Sequence, residues 1–276
     1  MSWHLESDGG RRREIIYWPD QYSTAEFGDI RGGNPILFPF AGRSFDQGAI
    51  NLWRGPDGVQ RPMPIHGFAR HSRFQLRNLD ASGFSAVLIP DAEAKRCYPY
   101  DFEFEVAYRF EAFALHCELS LHNRDTQALP WCAGHHPYFS LPWSDESVQK
   151  NFRIHLPATK TWNHDYDGFG KLISRPCLNG DQPLATPALV DAIHSGLSSN
   201  KIYFGDQSSP STTHIRFGSS EKPPEGSCLV TWSQAGLPYY CIEPWMGVPN
   251  AFENKVGLDW VQPRQTRRFG ISIVAA

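Results

Sequence analysis

Two short runs hold the residue types that acid–base chemistry needs. The first is Trp131-Cys-Ala-Gly-His135-His136-Pro-Tyr138-Phe. Adjacent histidines on a strand point to opposite faces, so only one of the pair can face a given cleft. Residue types alone balance a site imidazole against one partly buried and one surface His. The second run is Tyr239-Tyr240-Cys241-Ile242-Glu243-Pro244-Trp245. By alternation, Tyr239, Cys241 and Glu243 share one face, with Tyr240 and Ile242 on the other. A carboxyl among apolar and aromatic neighbours holds its proton more tightly, as a base working near neutrality requires. The alternative reading is a strand-end Glu that meets water.

Two further features fit ligand binding. In His66-Gly67-Phe68-Ala69-Arg70, glycine permits close backbone approach, and His and Arg offer donors to hydroxyls or phosphate. The competing reading is a tight turn with a solvated Arg. Of nine tryptophans, most should fill the core. Trp245, two residues from Glu243, is placed to line a sugar site. A metal site is not expected. Two His on opposite faces cannot chelate one ion together, and no carboxylate stands beside them at ligand spacing.

The elements that must position these groups read as strands. Glycine (23) and proline (22) fall at short intervals and divide the chain into short segments. Within 102–110, Phe102, Phe104, Val106, Tyr108 and Phe110 alternate with Glu103, Glu105 and Arg109. That is a half-buried antiparallel strand. Residues 114–122 repeat the pattern, and 84–89, 228–232 and 269–274 are also β-rich. One short helix is expected from Pro187 to Gly196. The segment 31–71, rich in His, Arg, Gly and Pro, reads as loops of the kind that carry sites on a rigid scaffold. We expect an all-β antiparallel sandwich, and one domain over residues 1–276.

Composition narrows the partners. The net charge is -3, against a nucleic-acid role. The six cysteines include no C-x-x-C pair, which argues against zinc and redox motifs. The N-terminus lacks a basic start followed by an apolar run, and no stretch approaches a membrane span. These features predict a cytoplasmic protein with reduced thiols, no membrane partner and a small-molecule ligand.

Together the motifs resemble the aldose 1-epimerase (galactose mutarotase-like) superfamily. Asp29-Ile-Arg31-Gly-Gly-Asn-Pro-Ile-Leu-Phe-Pro-Phe is similar to the segment entering that family's cleft. His66-Gly-Phe-Ala-Arg70 resembles a loop of its hexose-6-phosphate 1-epimerase branch. His136-Pro-Tyr-Phe resembles the segment of the catalytic acid, and Cys241-Ile-Glu243-Pro that of the base. Residues 258–273 look like the closing hairpin. The resemblance implies a galactose mutarotase-like β-supersandwich that opens and recloses the ring of an aldohexose or its 6-phosphate. Glu243 would take the anomeric proton and His136 would protonate the ring oxygen. His66, Arg70 and Arg31 would hold hydroxyls or a phosphate. Where the branch carries a sugar-binding Asp before Arg-hydrophobic-Tyr, this chain reads Asn200-Lys201-Ile202-Tyr203, so Asn200 would bind the sugar by hydrogen bonds without the charge. Where the branch often carries Gln before the His, Ile65 stands. The reaction needs one acid, one base and positioning, and no cofactor is expected. Monomer and homodimer both fit. A non-catalytic carbohydrate-binding protein on the same fold is the rival, but it would not need both Glu243 and His136. A glycoside hydrolase would need two facing carboxylates.

Overall fold

The computed structural model describes residues 2–6, 10, 12–141, 151–167, 169–207, 212–218 and 222–275. Among them, a ten-stranded and a nine-stranded antiparallel sheet make up the body. The ten-stranded sheet runs Trp3–Glu6, Arg12–Ile16, Tyr138–Ser140, Tyr239–Trp245, Cys228–Trp232, Ala192–Ser195, Lys160–His164, Leu172–Arg175, with Gly134–His135 and Ile36–Leu37 branching from Tyr239–Trp245. The nine-stranded sheet has Phe102–Glu111, Ala114–Asn123 and Thr266–Ala275 near its middle.

Alternation decides which face meets which. Phe104, Val106, Leu119, Leu121, Phe269 and Ile271 turn inward from the nine-stranded sheet. Tyr240, Ile242, Leu229 and Phe139 meet them from the ten-stranded one. Their intervening partners, such as Glu103 and Arg77, pair on the outer face. Each fully buried aromatic or aliphatic side chain contributes roughly 1.5–3 kcal/mol, so the strand pattern itself drives the stacking. Both faces of Tyr239–Trp245 are buried, Tyr240 and Ile242 in the main core and Tyr239, Cys241 and Trp245 in two smaller clusters.

Two expectations are corrected. Residues 187–196 are not one helix. Pro187–Leu189 makes a single 3₁₀ turn and Ala192–Ser195 is a strand. That strand pairs on both edges, Thr161↔His194 and Ile193↔Val230, and is buried throughout. Two ladders of backbone hydrogen bonds outweigh a short helical tendency. The chain end is not a hairpin either. Asp259–Val261 pairs with Leu129–Trp131, whereas Thr266–Ala275 lies between Ala114–Asn123 and Thr212–Phe217.

Candidate functional site

The site begins with a register. Gly134 pairs with Trp245, and Tyr138 pairs with Cys241. The midpoint of that ladder sets His136 opposite Glu243. Pro137 and Pro244 follow these two residues, and the ladder opens between them. The His136 backbone N–H instead donates to Asn34 Oδ1 at 3.0 Å and Pro35 O at 3.2 Å. Cross-strand neighbours on one face bring their side chains together. Accordingly, His136 Nε2 lies 3.4 Å from Glu243 Oε1, with the Glu243 side chain only 2% exposed.

Asn34 fixes the two histidines at once. Its Oδ1 holds the backbone of His136, while its amide nitrogen donates to His135 Nδ1 at 3.1 Å. His135 is fully buried and stacks on Phe269 in the core. His136 turns the other way, stacked on Tyr138 with ring centroids 4.8 Å apart.

A cleft of about 390 Å³ opens above Glu243, lined among others by His66, Arg70, His136, Asp191, Trp232 and Trp245. Cavities of this size hold small ligands. One wall is the segment after Ile65. His66 has φ 65° and Gly67 φ 74°. A Cβ on Gly67 would stand 1.9 Å from the Phe38 carbonyl oxygen, so only glycine allows this approach. The His66 N–H donates to Gly42 O at 2.7 Å, and Gly42 N–H donates back to His66 Nδ1 at 3.1 Å. With Nδ1 accepting, neutral His66 carries its proton on Nε2 and offers a donor. Arg70 Nη2 lies 3.6 Å from Asp29 Oδ1.

The opposite wall holds groups that spacing did not reveal. The Tyr166 hydroxyl donates to Asp191 Oδ1 at 3.1 Å, and the Arg43 guanidinium lies 5.6 Å from the centre of the Tyr166 ring. Asp191 has φ 55°, at the turn between the 3₁₀ segment and its strand. At the cleft mouth Arg31 bonds Gln234 and lies 5.6 Å from the centre of the Trp232 ring. Trp245 packs against Leu37, Ile193 and Val230, and its ring centroid is 5.7 Å from that of His66.

Asn200 does not join them. It is buried at the head of strand Lys201–Asp206 in the other sheet, where its amide nitrogen donates to Phe217 O at 3.4 Å. The carboxylate expected to be lost there is present in the cleft from Asp191. The signal was its place between an apolar turn and an apolar strand, which a helical reading of 187–196 conceals.

Burial sets the protonation. It pushes the Glu243 carboxyl well above its usual range, with the Asp191 charge adding to the effect. The Trp245 indole opposes this, although its Nε1 closes no hydrogen bond of good geometry among the described residues. Burial also pushes His136 down to about 3, helped by the Arg70 charge. His66 is lowered too, by burial first and then by His136, Arg70 and Arg43. Each shift disfavours an isolated charge, so the pair accommodates one shared proton better than none or two. Such a pair can take a proton at one oxygen of a ligand and deliver one at another. A larger hollow, about 920 Å³, lies against the nine-stranded sheet, where Arg268 pairs with Glu118.

The aldose 1-epimerase family model matches residues 19–167. Protein LacX, chromosomal, of Lactococcus lactis subsp. lactis is 26% identical over 234 residues, covering 80% of this chain and 76% of its own length. The Slr1438 protein of Synechocystis sp. PCC 6803 superposes with a TM-score of 0.76 at 24% identity, over 100% of this chain and 96% of its own. A galactose mutarotase related enzyme from Lactobacillus acidophilus gives 0.75 at 20% identity, over 100% and 97%. The two structures speak for the fold, a galactose mutarotase-like sandwich.

Proposed function

Because this chain belongs to the aldose 1-epimerase family, we propose that it interconverts the α and β anomers of an aldohexose or hexose 6-phosphate by acid–base ring opening. The observation that supports this best is the in-register His136–Glu243 pair, 3.4 Å apart in the floor of a sugar-sized cleft.

Glu243 acts as base and His136 as acid. Moving the shared proton from Glu243 to His136 gives the working form, carboxylate and imidazolium. Glu243 then takes the proton of the C1 hydroxyl, the C1–O5 bond breaks, and His136 protonates O5. The pair ends as neutral imidazole and carboxylic acid, still with one proton. Rotation about C1–C2 and the reverse steps close the ring on its other face. No net charge enters or leaves the buried floor at any step, which keeps the desolvation cost low. Each positioned proton transfer contributes about 10²–10⁴-fold.

The remaining groups position the sugar. His66 Nε2–H donates to a ring or hydroxyl oxygen, and Asp191 accepts from hydroxyls. Trp245 and Trp232 offer apolar faces, and Arg31, Arg43 and Arg70 offer donors at the rim. NMR exchange spectroscopy on free and 6-phosphorylated aldohexoses tests the reading. Faster α/β exchange for at least one sugar is expected. Tight binding with no exchange would identify a carbohydrate-binding protein instead.

A further inference from the structure

We propose that His136, Cys241 and Glu243 form a binding site for one thiophilic divalent cation of the Zn²⁺ type, which on binding blocks the cleft floor. The strand Tyr239–Trp245 places Cys241 and Glu243 two residues apart on the same face, and the register sets His136 opposite Glu243. The imidazole nitrogen, the thiol sulfur and a carboxylate oxygen all lie within 4.8 Å of one another. Tetrahedral zinc, with bonds of about 2.0–2.3 Å, needs its ligand atoms roughly 3.3–3.8 Å apart. On binding the three atoms must therefore draw together by about 1 Å.

The donor set selects the metal class. Nitrogen, sulfur and oxygen together suit zinc and disfavour magnesium or calcium, which take oxygen alone. Charge agrees. A thiolate and a carboxylate balance a dication, so the occupied site is neutral in a buried floor. Glu243 Oε2 is buried with no hydrogen-bond partner among the described residues and is available to a cation. His136 and Glu243 line the cleft, while Cys241 packs with Tyr138 and Tyr239, so a bound ion could take an exchangeable fourth ligand from the cleft, as zinc sites with an open position do. His136 Nδ1 lacks a partner too among the described residues, so none of them strengthens the imidazole as a ligand. The site therefore holds its ion reversibly, and an ion on His136 and Glu243 would occupy both members of the proposed acid–base pair. Binding displaces the Cys241 thiol proton and the proton shared by the pair, so affinity rises with pH.

The binding site stands without the sugar reaction, whereas its inhibitory effect rests on the proposed epimerase function. Titrating Co²⁺ into the metal-free full chain should give a sulfur-to-cobalt charge-transfer band that saturates at one equivalent. The band should vanish in Cys241→Ser and persist in Cys177→Ser, which removes the exposed thiol. His136→Asn should weaken binding by at least about tenfold, with circular dichroism confirming the fold of each variant. Zn²⁺ should displace the band and suppress anomer exchange, and a chelator should restore exchange. No band in the wild-type chain overturns the proposal. So does a band that survives Cys241→Ser and is lost in Cys177→Ser. A Cys241-dependent band with no exchange of any sugar supports the metal site and removes the epimerase reading.

Discussion

His136 and Glu243 are cross-strand neighbours in register, with Nε2 and Oε1 3.4 Å apart in a buried floor. In the proposed reaction the pair works with one proton, so activity should fall where it gains a second. Burial pushes His136 down to about 3. The acid limb of the exchange rate should therefore lie well below the ordinary imidazole value of about 6.5. Exchange rates by NMR from pH 5 to 8, corrected for the uncatalysed reaction, check this. A limb centred between pH 6 and 7 would show that the acid is a solvated imidazole.

Glu243→Gln keeps the shape of the side chain and removes the proposed base. Exchange should drop by about 10²–10⁴-fold. Stability should hold or rise slightly, because a buried ionisable group becomes a neutral amide. Sugar exchange and urea unfolding measured on the same sample separate the two effects.

The strands and both motifs were legible because alternation and residue type are local. The face carrying Cys241 and Glu243 followed from the period of two, and so did the divergence of His135 from His136. The register was not legible. Nothing in 131–139 or 239–245 says that His136 meets Glu243, since register depends on which strands pair. Asn34 was hidden for the same reason, as its role is to span a turn and two histidines far along the chain. Asp191 was missed because residues 187–196 carry a helix-like start, and two flanking strands overrode it.

Two fully buried histidines should make the fold acid-sensitive. Burial lowers His135 to about 3 and His194 to about 4. The unfolded chain protonates them near 6.5, so it binds more protons than the folded state below that pH. Stability is full above about 6.5 and falls as pH drops toward 4, by about 1.4 kcal/mol per pH unit for each group. Urea unfolding at several pH values reads the slope, and His194→Gln should lower it.

Gly67→Ala should cost roughly 2–4 kcal/mol and impair exchange. Its Cβ would meet the Phe38 carbonyl oxygen at 1.9 Å, which is backbone and cannot step aside. Gly58 is the control, since it has a similar φ of 75° but no atom of the described residues within 4 Å of a Cβ. Gly58→Ala should cost only about 1 kcal/mol, the conformational part alone. Equal losses in the two variants would mean that the approach of Gly67 to Phe38 does not constrain the cleft wall.

Asp191→Asn tests the cleft carboxylate. Asparagine tolerates the left-handed φ of 55° and can still accept from the Tyr166 hydroxyl, so the turn should survive. What disappears is the charge, which has two consequences. A hydroxyl bonded to a charged acceptor is held by about 1.5–3 kcal/mol, so KM should rise about 10–100-fold. The Asp191 charge also adds to the upward shift of Glu243. Its removal loosens the shared proton, so the alkaline limb of kcat should move to lower pH. The two readouts are separable. A shifted limb with an unchanged KM would mean that Asp191 acts on Glu243 through space and does not touch the sugar. A raised KM with an unmoved limb would mean the reverse, with the carboxylate serving only to position the substrate.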